Sequence, residues 1–205
     1  MRLGSVLASD MLWLMRIIAG SYRSRTLAAP PGIATRPTSD RLRETLFNVL
    51  APRIEGARFL DVYAGSGAVG IEALSRGAAG VEFIERSPSA LAVLRANLTR
   101  LGVTAGFRIH SASVATAFGR LKAGPPFDLV FLDPPYDAVH EYEATLGLLG
   151  KPDVGLLTDG AMVIAEHRKK EPLKESYGRL SRARLLQQGD AALSFYAIAE
   201  VSIAS

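Results

Sequence analysis

The sequence predicts an α/β fold: a doubly wound, mostly parallel sheet with helices on both faces, an antiparallel C-terminal edge and a small N-terminal β-hairpin. Three observations carry that prediction. From Ala57 onward, short apolar runs alternate with longer segments of helical period. A glycine-rich turn, Gly65-Ser66-Gly67, joins the first of these runs to the helix after it. The last two strand-like runs are joined through Gly189-Asp190, a hairpin connection, so they add antiparallel strands at an edge.

The elements follow in chain order. Residues 16–29 read as a short hairpin, with apolar Ile17-Ile18-Ala19, a bend at Gly20-Ser21 and basic and aromatic residues beyond it. Pro30-Pro31-Gly32 breaks it. Thr35–Asp40 is a loop whose Ser39 or Asp40 can cap the next helix, where Leu42, Leu46, Phe47, Val49 and Leu50 make the apolar face and Pro52 is expected to end it. Strands are expected at Arg58–Val62, Val81–Ile84, Gly106–His110, Phe127–Leu132, Ala161–Glu166, Ala183–Gln187 and Ala192–Ala199. Helices are expected over about 68–76, 88–101 and 139–149, the first two closed by Gly77 and Gly102, with an Ala-rich segment at 112–121. In domain terms, 15–34 is an N-terminal hairpin and 35–205 one catalytic-type domain. Residues 1–14 carry Asp10 within their apolar stretch, little positive charge and no cleavage pattern, so a disordered extension or a start at Met15 is expected there.

A chain of 205 residues can bury a core without staples, and 48% hydrophobic with 21% charged residues is ordinary for a globular protein. The absence of cysteine excludes a disulfide framework and a thiolate metal site. His110, His140 and His167 lack ligand spacing, so no metal is expected. No apolar run approaches the length of a bilayer span, and a cytoplasmic monomer is the expectation. The net charge of +4 matters less than its layout. Arg16, Arg23, Arg25, Arg36, Arg41 and Arg43 crowd the N-terminal segment against only Asp40 and Glu44, which favours contact with nucleic-acid phosphate. A second group, Arg168, Lys169, Lys170, Lys174, Arg179, Arg182 and Arg184, suits a solvated face or a phosphate contact equally.

Two motifs carry chemistry. Asp133-Pro134-Pro135-Tyr136 follows the apolar run 127–132. The prolines stiffen the backbone and remove two N–H donors, so acceptors gather beside an aromatic face. Such a site suits a planar ring whose exocyclic –NH2 donates twice. Upstream, Gly65-Ser66-Gly67-Ala68-Val69-Gly70 fits G-x-G-x-x-G, and Glu85 stands twenty residues on, where an acid can grip a ribose. A nicotinamide dinucleotide and S-adenosylmethionine both fit that layout. Asp61 favours the second: a carboxylate beside the turn repels a pyrophosphate but can hold an ammonium. Ser111–Ser113 would then lie against the adenine.

Asp61–Gly67 resembles motif I of class I S-adenosylmethionine-dependent methyltransferases, and Asp133–Tyr136 resembles the (D/N)PPY motif of amino methyltransferases. Arg16–Gly20, Thr35–Asp40 leading into Arg43–Asn48, and Glu72–Ala78 are similar to the RsmD family, and the likeness spans roughly residues 15 to 200. That resemblance implies methylation of the N2 amine of one guanine in 16S rRNA, within an assembling small ribosomal subunit. It implies Asp133, Pro134, Pro135 and Tyr136 as catalytic residues. Cofactor contacts would come from Asp61, Tyr63, Ala64, Gly65, Ser66, Gly67, Glu85, Arg86, Ser111 and Ala112, and RNA contacts from Arg16, Arg23, Arg25 and Arg36. Ser111–Ser113 lacks the acidic residue many methyltransferases place near the adenine, so backbone groups would substitute. An adenine-N6 methyltransferase shares both motifs but usually carries a target-recognition insertion, which is not visible. A glutamine-modifying protein methyltransferase would have Asn in place of Asp133. An NAD-dependent oxidoreductase has no use for 133–136, and a non-catalytic RNA-binding assembly factor has no need of intact Asp61, Glu85 and Asp133.

Overall fold

The computed structural model describes residues 15–29, 40–135 and 138–199. Residues 1–14, the segment 30–39 with Arg36 and most of the Thr35–Asp40 loop, and Tyr136 lie outside the described residues. The elements are β1 (Met15–Arg16), β2 (Thr26–Leu27), α1 (Asp40–Ile54), β3 (Arg58–Val62), α2 (Ala68–Ser75), β4 (Gly80–Glu85), α3 (Pro88–Leu101), β5 (Phe107–Ser111), α4 (Val114–Leu121), β6 (Phe127–Leu132), α5 (Val139–Leu149), β7 (Leu157–Arg168), β8 (Ser176–Tyr177), β9 (Leu180–Gln188) and β10 (Ala191–Ile198).

Eight strands form one sheet in the order β5-β4-β3-β6-β7-β10-β9-β8. The first five are parallel; β10 pairs antiparallel with β7, β9 with β10 and β8 with β9. The inner strands are apolar on both faces because both faces are covered. Phe59, Phe83, Phe131, Ile164 and Phe195 pack under α1, α2 and α3, while Leu60, Ile84, Val130 and Val163 pack under α4 and α5. Chain order reverses between β3 and β6, and in sheets of this kind ligands bind in the crevice beyond the strand ends at that point.

Helix α1 departs from expectation by running through Pro52 to Ile54. Leu50 and Ile54, one turn apart, are both buried, and that packing offsets the hydrogen bond the proline removes from the last turn. Strand β7 is also longer than its apolar run: Leu157 pairs with Phe127 through a register shift, and Arg168 pairs with Ala191 of β10.

The N-terminal hairpin has only two paired residues per strand. Further bonds within it join Ile17 to Ser24 and Arg25, and the helices hold other parts of its backbone. Glu72 of α2 accepts from the N–H groups of Ile18 (2.8 Å) and Ala19 (3.0 Å). The Ser75 carbonyl accepts from Ser21 N–H (2.8 Å). Asn97 of α3 engages both the N–H (2.9 Å) and the carbonyl (3.0 Å) of Ala28. At Gly20, φ is +82° and a Cβ would sit 1.7 Å from the Ser75 carbonyl oxygen, so the bend admits no side chain. Ile17 and Leu27 are buried in the core beneath.

Candidate active site

Four strand ends converge at the carboxyl edge of the sheet. Asp61, on β3, is only 2% exposed and pairs in register with Phe131 of β6. Asp133 is the first residue past β6, its N–H directed at the Val62 carbonyl (3.5 Å). Glu85 ends β4 opposite Ser111, which ends β5. Thus Asp61, Glu85, Ser111 and Asp133, far apart in sequence, share one edge.

The glycine turn is fastened from several sides. The Ala64 N–H donates to the Ile84 carbonyl (3.0 Å), and Gly67 N–H donates back to the Ala64 carbonyl (2.7 Å). Gly67 takes φ +80° at the start of α2, where a Cβ would stand 2.2 Å from Leu94 Cδ1. A side chain there would be strained by its backbone and would also collide with α3. Asn97 donates to the Ser66 carbonyl (3.0 Å) with the same amide that holds Ala28, so one buried side chain ties the turn to the hairpin. A Cβ placed on Gly65 would meet nothing nearer than the Tyr63 carbonyl oxygen at 4.0 Å, so that stretch of backbone is open to close approach.

The three carboxyl groups have different surroundings. Glu85 Oε2 accepts from Gly65 N–H (2.8 Å), and Oε1 accepts from Arg86 N–H (2.8 Å) and Ser87 N–H (2.7 Å). With two acceptor positions per oxygen, Oε2 retains capacity for a hydroxyl. Asp61 Oδ2 accepts from Gly70 N–H (2.9 Å). Burial, together with the charges of Asp133 and Glu85, pushes the Asp61 pKa up to about 7 against that one hydrogen bond. Burial pushes Asp133 up to about 7 as well. A cation brought beside these groups would favour their charged forms, so the arrangement suits a cationic ligand.

Around this trio, Ala112 N–H donates to the Glu85 carbonyl (3.3 Å), and Ser113 caps α4. The Pro135 carbonyl accepts from Ala138 N–H (2.8 Å), closing the turn that leads into α5. The arginines expected at RNA are divided. Arg16 is exposed at the open end of the hairpin, its carbonyl accepting from Arg43 at the start of α1. Arg23 is exposed in the hairpin turn, which lies against the C-terminal end of α2, at the edge of the sheet opposite Asp133. Arg25 donates to the carbonyls of Leu101 (3.2 Å) and Arg100 (3.1 Å), capping the C-terminus of α3. In the C-terminal basic group, Lys174 pairs with Glu143, Arg168 with Glu171 and Arg182 with Glu175.

Sequence reading missed Glu72 and Asn97. Asn97 falls on the buried stripe of Leu94, Leu98 and Leu101, and a polar residue on such a stripe was the available signal. Among the described residues, no group of three or more His, Cys, Asp or Glu could hold a metal ion, and no helix is long and apolar enough to cross a membrane.

A family model described as Conserved hypothetical protein 95 matches residues 15–197. The chain is 41% identical, over 182 residues and 89% of each chain, to the ribosomal RNA small subunit methyltransferase D of Escherichia coli K12. It belongs to that family. Among solved structures it is similar to the yhhF protein of Escherichia coli, with a TM-score of 0.78 and 38% identity over 91% of this chain and 98% of that one. It is also similar to the hypothetical protein TTHA0928 of Thermus thermophilus, with a TM-score of 0.74 and 32% identity over 90% and 99% of the two chains. The family is one of S-adenosylmethionine-dependent methyltransferases. The residues present fit that cofactor: its sulfonium and ammonium are cations, and the turn that Glu85 holds at Gly65 and Asp61 holds at Gly70 has open backbone at Gly65.

Proposed function

We propose that this protein transfers a methyl group from S-adenosylmethionine to the exocyclic N2 amine of a guanine in 16S rRNA, within an assembling small ribosomal subunit. The observation that carries the reading is the placing of Asp133, Pro134 and Pro135 directly across the β3/β6 crevice from Asp61 and the glycine turn. The family supports the rRNA substrate; the choice of guanine N2 follows the family resemblance.

In this reading Asp61 holds the methionine ammonium, and the remaining acceptor position on Glu85 takes a ribose hydroxyl. The backbone of Tyr63, Ala64, Gly65, Ser66 and Gly67 lies along the cofactor, Arg86 flanks the ribose, and Ser111 and Ala112 border the adenine. When bound, the cofactor supplies an electrophilic methyl group on a sulfonium that carries its own leaving group. The guanine amine is a poor nucleophile because its lone pair is delocalised into the ring. Asp133 and the Pro134 carbonyl accept its two N–H groups and let the nitrogen rehybridise, with Pro135 fixing the turn. Tyr136 stacks on the base, which must leave its helix to reach the crevice. Positioning and electrostatics supply most of the acceleration. An acid poised near 7 is also suited to receive the proton the product amine releases. Arg16, Arg23 and Arg36 contact RNA phosphates; Arg25 joins them only if it leaves the carbonyls it caps.

The test is labelled methyl transfer to 16S rRNA, free and in small subunits, followed by mass mapping of the product. One monomethylated guanine is the expected result. A methylated adenine or protein, or no transfer to either substrate, would overturn the reading.

A further inference from the structure

Glu141 has no part in the roles above, yet it joins three of the loops that build the site. It lies in the first turn of α5, just after the turn that carries Asp133, Pro134 and Pro135. Its Oε2 accepts from the Tyr63 hydroxyl (2.9 Å), and its Oε1 is 3.8 Å from the Arg86 guanidinium. One turn along α5, buried Thr145 meets the same Tyr63 hydroxyl at 2.7 Å. Tyr63 belongs to the loop after β3 and Arg86 to the loop after β4. The start of α5 is therefore fastened to both cofactor-side loops through side chains alone.

The backbone of Tyr63 points the same way. Its φ is +65°, and among the described residues only Ser24 shares a positive φ without being glycine. Glycine would make that bend without strain, so a bulky ring there makes physical sense only if the side chain has a task. Its hydroxyl is half-buried and doubly hydrogen-bonded, and burial pushes its pKa up, so it stays a neutral donor.

We propose that Tyr63, Glu141 and Arg86 form a latch that sets the distance between the cofactor turn and the loop that receives the target base. The inference rests on the proposed methyl transfer. Glu141 is a positioning residue: it touches neither cofactor nor base, but it fixes the start of α5 and hence the turn from Asp133. A misplacement of about 1 Å between reacting groups can cost a hundredfold in rate, so a loosened latch should act on kcat.

Three measurements test it. In the cofactor-free protein, amide hydrogen exchange over 138–142 should quicken at least about fivefold in Tyr63→Phe, which keeps the ring and removes only the hydroxyl. With rRNA, Tyr63→Phe and Glu141→Ala should each lower kcat roughly tenfold or more, while the cofactor Kd by calorimetry stays within about threefold of wild type. Glu141→Gln, which keeps an acceptor for Tyr63, should recover most of what Glu141→Ala loses. The double variant should be little worse than either single one, as expected for partners in one interaction. Unchanged exchange, or a loss of kcat matched by an equal loss of cofactor affinity, overturns the latch while leaving the methyltransferase reading intact. A wild-type protein without methyl transfer overturns both.

Discussion

The ends of β4 and β6 carry two carboxylates at equivalent places on one sheet edge, and their surroundings are opposite. Glu85 receives three backbone N–H groups from its own loop and from the glycine turn. Asp133 is driven towards its neutral form by burial, up to about 7. The Glu85 corner of the crevice is thus assembled before any ligand arrives, whereas Asp133, like Asp61 on β3, is an acid whose charge is costly until a partner meets it. In the proposed reaction this would be electrostatic preorganisation at Glu85, on the cofactor side, and stored demand at Asp133, on the base side. It suits an enzyme that must hold one small molecule firmly and grip its target amine chiefly as the nitrogen reacts.

The largest expected effect lies on the base side. Asp133→Ala should lower methyl transfer by about 10²- to 10³-fold, the range for removing one preorganised polar partner of a transition state, while the cofactor Kd changes less than about threefold. Asp133→Asn should fall between, since an amide oxygen still accepts one N–H. Single-turnover rates and calorimetry on the same preparations separate the two. A large loss of cofactor affinity in Asp133→Ala would erase the contrast between the halves.

Glu85→Ala should act in the opposite sense. It strips the acceptor from three N–H groups at once and removes one of the ties between the glycine turn and β4. Hydrogen bonds to a charged partner contribute about 1.5–3 kcal/mol each, so cofactor affinity should fall by about 10- to 100-fold. The rate with cofactor saturating should fall much less. Equal losses in both would mean that Glu85 helps place the base as well.

Protonation offers a third and smaller lever. A folded-state pKa of about 7 for Asp61 lies above that of an exposed carboxyl, so the folded protein binds more protons than the unfolded one from about pH 4 to pH 7. Stability without cofactor should therefore decline as pH rises through that window, the reverse of an acid held low by a salt bridge. A cationic cofactor prefers the ionised form, so its affinity should rise about tenfold from pH 6 to pH 8, with proton release visible when calorimetry is repeated in buffers of different ionisation enthalpy. Asp61→Asn should flatten the dependence of affinity and lessen that of stability, the rest of which comes from Asp133, also raised to about 7 by burial. A flat profile in the wild type would mean that Asp61 is already ionised at pH 6.

How much of this could be read from the chain depends on the range of each interaction. The turns at Gly65–Gly67 and after Leu132 are local, and their residues announced where the chain bends at the sheet edge. Helix α3 matched its periodicity because Ser87 and Gly102 cap a stripe that is buried, and α5 and β3 matched because burial agreed with the apolar pattern. Pro52 misled because core packing across α1 outweighs a local breaker. Glu72 and Glu141 were silent, and Asn97 was marked only as a polar residue on an apolar stripe, because the partners that define their roles lie 31 to 78 residues away. No local pattern could say which arginine serves a helix end and which faces solvent.

That last point yields the smallest and most discriminating test, because it asks to which half the hairpin belongs. Deleting it cannot answer, since Ile17 and Leu27 are core residues and Glu72 would be left buried beside Arg43 with its N–H partners gone. Single side chains can. If Arg16 and Arg23 touch phosphate, each change to alanine should weaken RNA affinity a few-fold and reduce the slope of log affinity against log salt by about 0.7 to 1. Arg25→Ala should leave that slope unchanged and instead lower Tm slightly, as expected for a cation removed from a helix C-terminus, worth roughly 0.3–1 kcal/mol. A salt slope altered by Arg25 but not by Arg23 would reverse the assignment and make the cap of α3 the RNA contact.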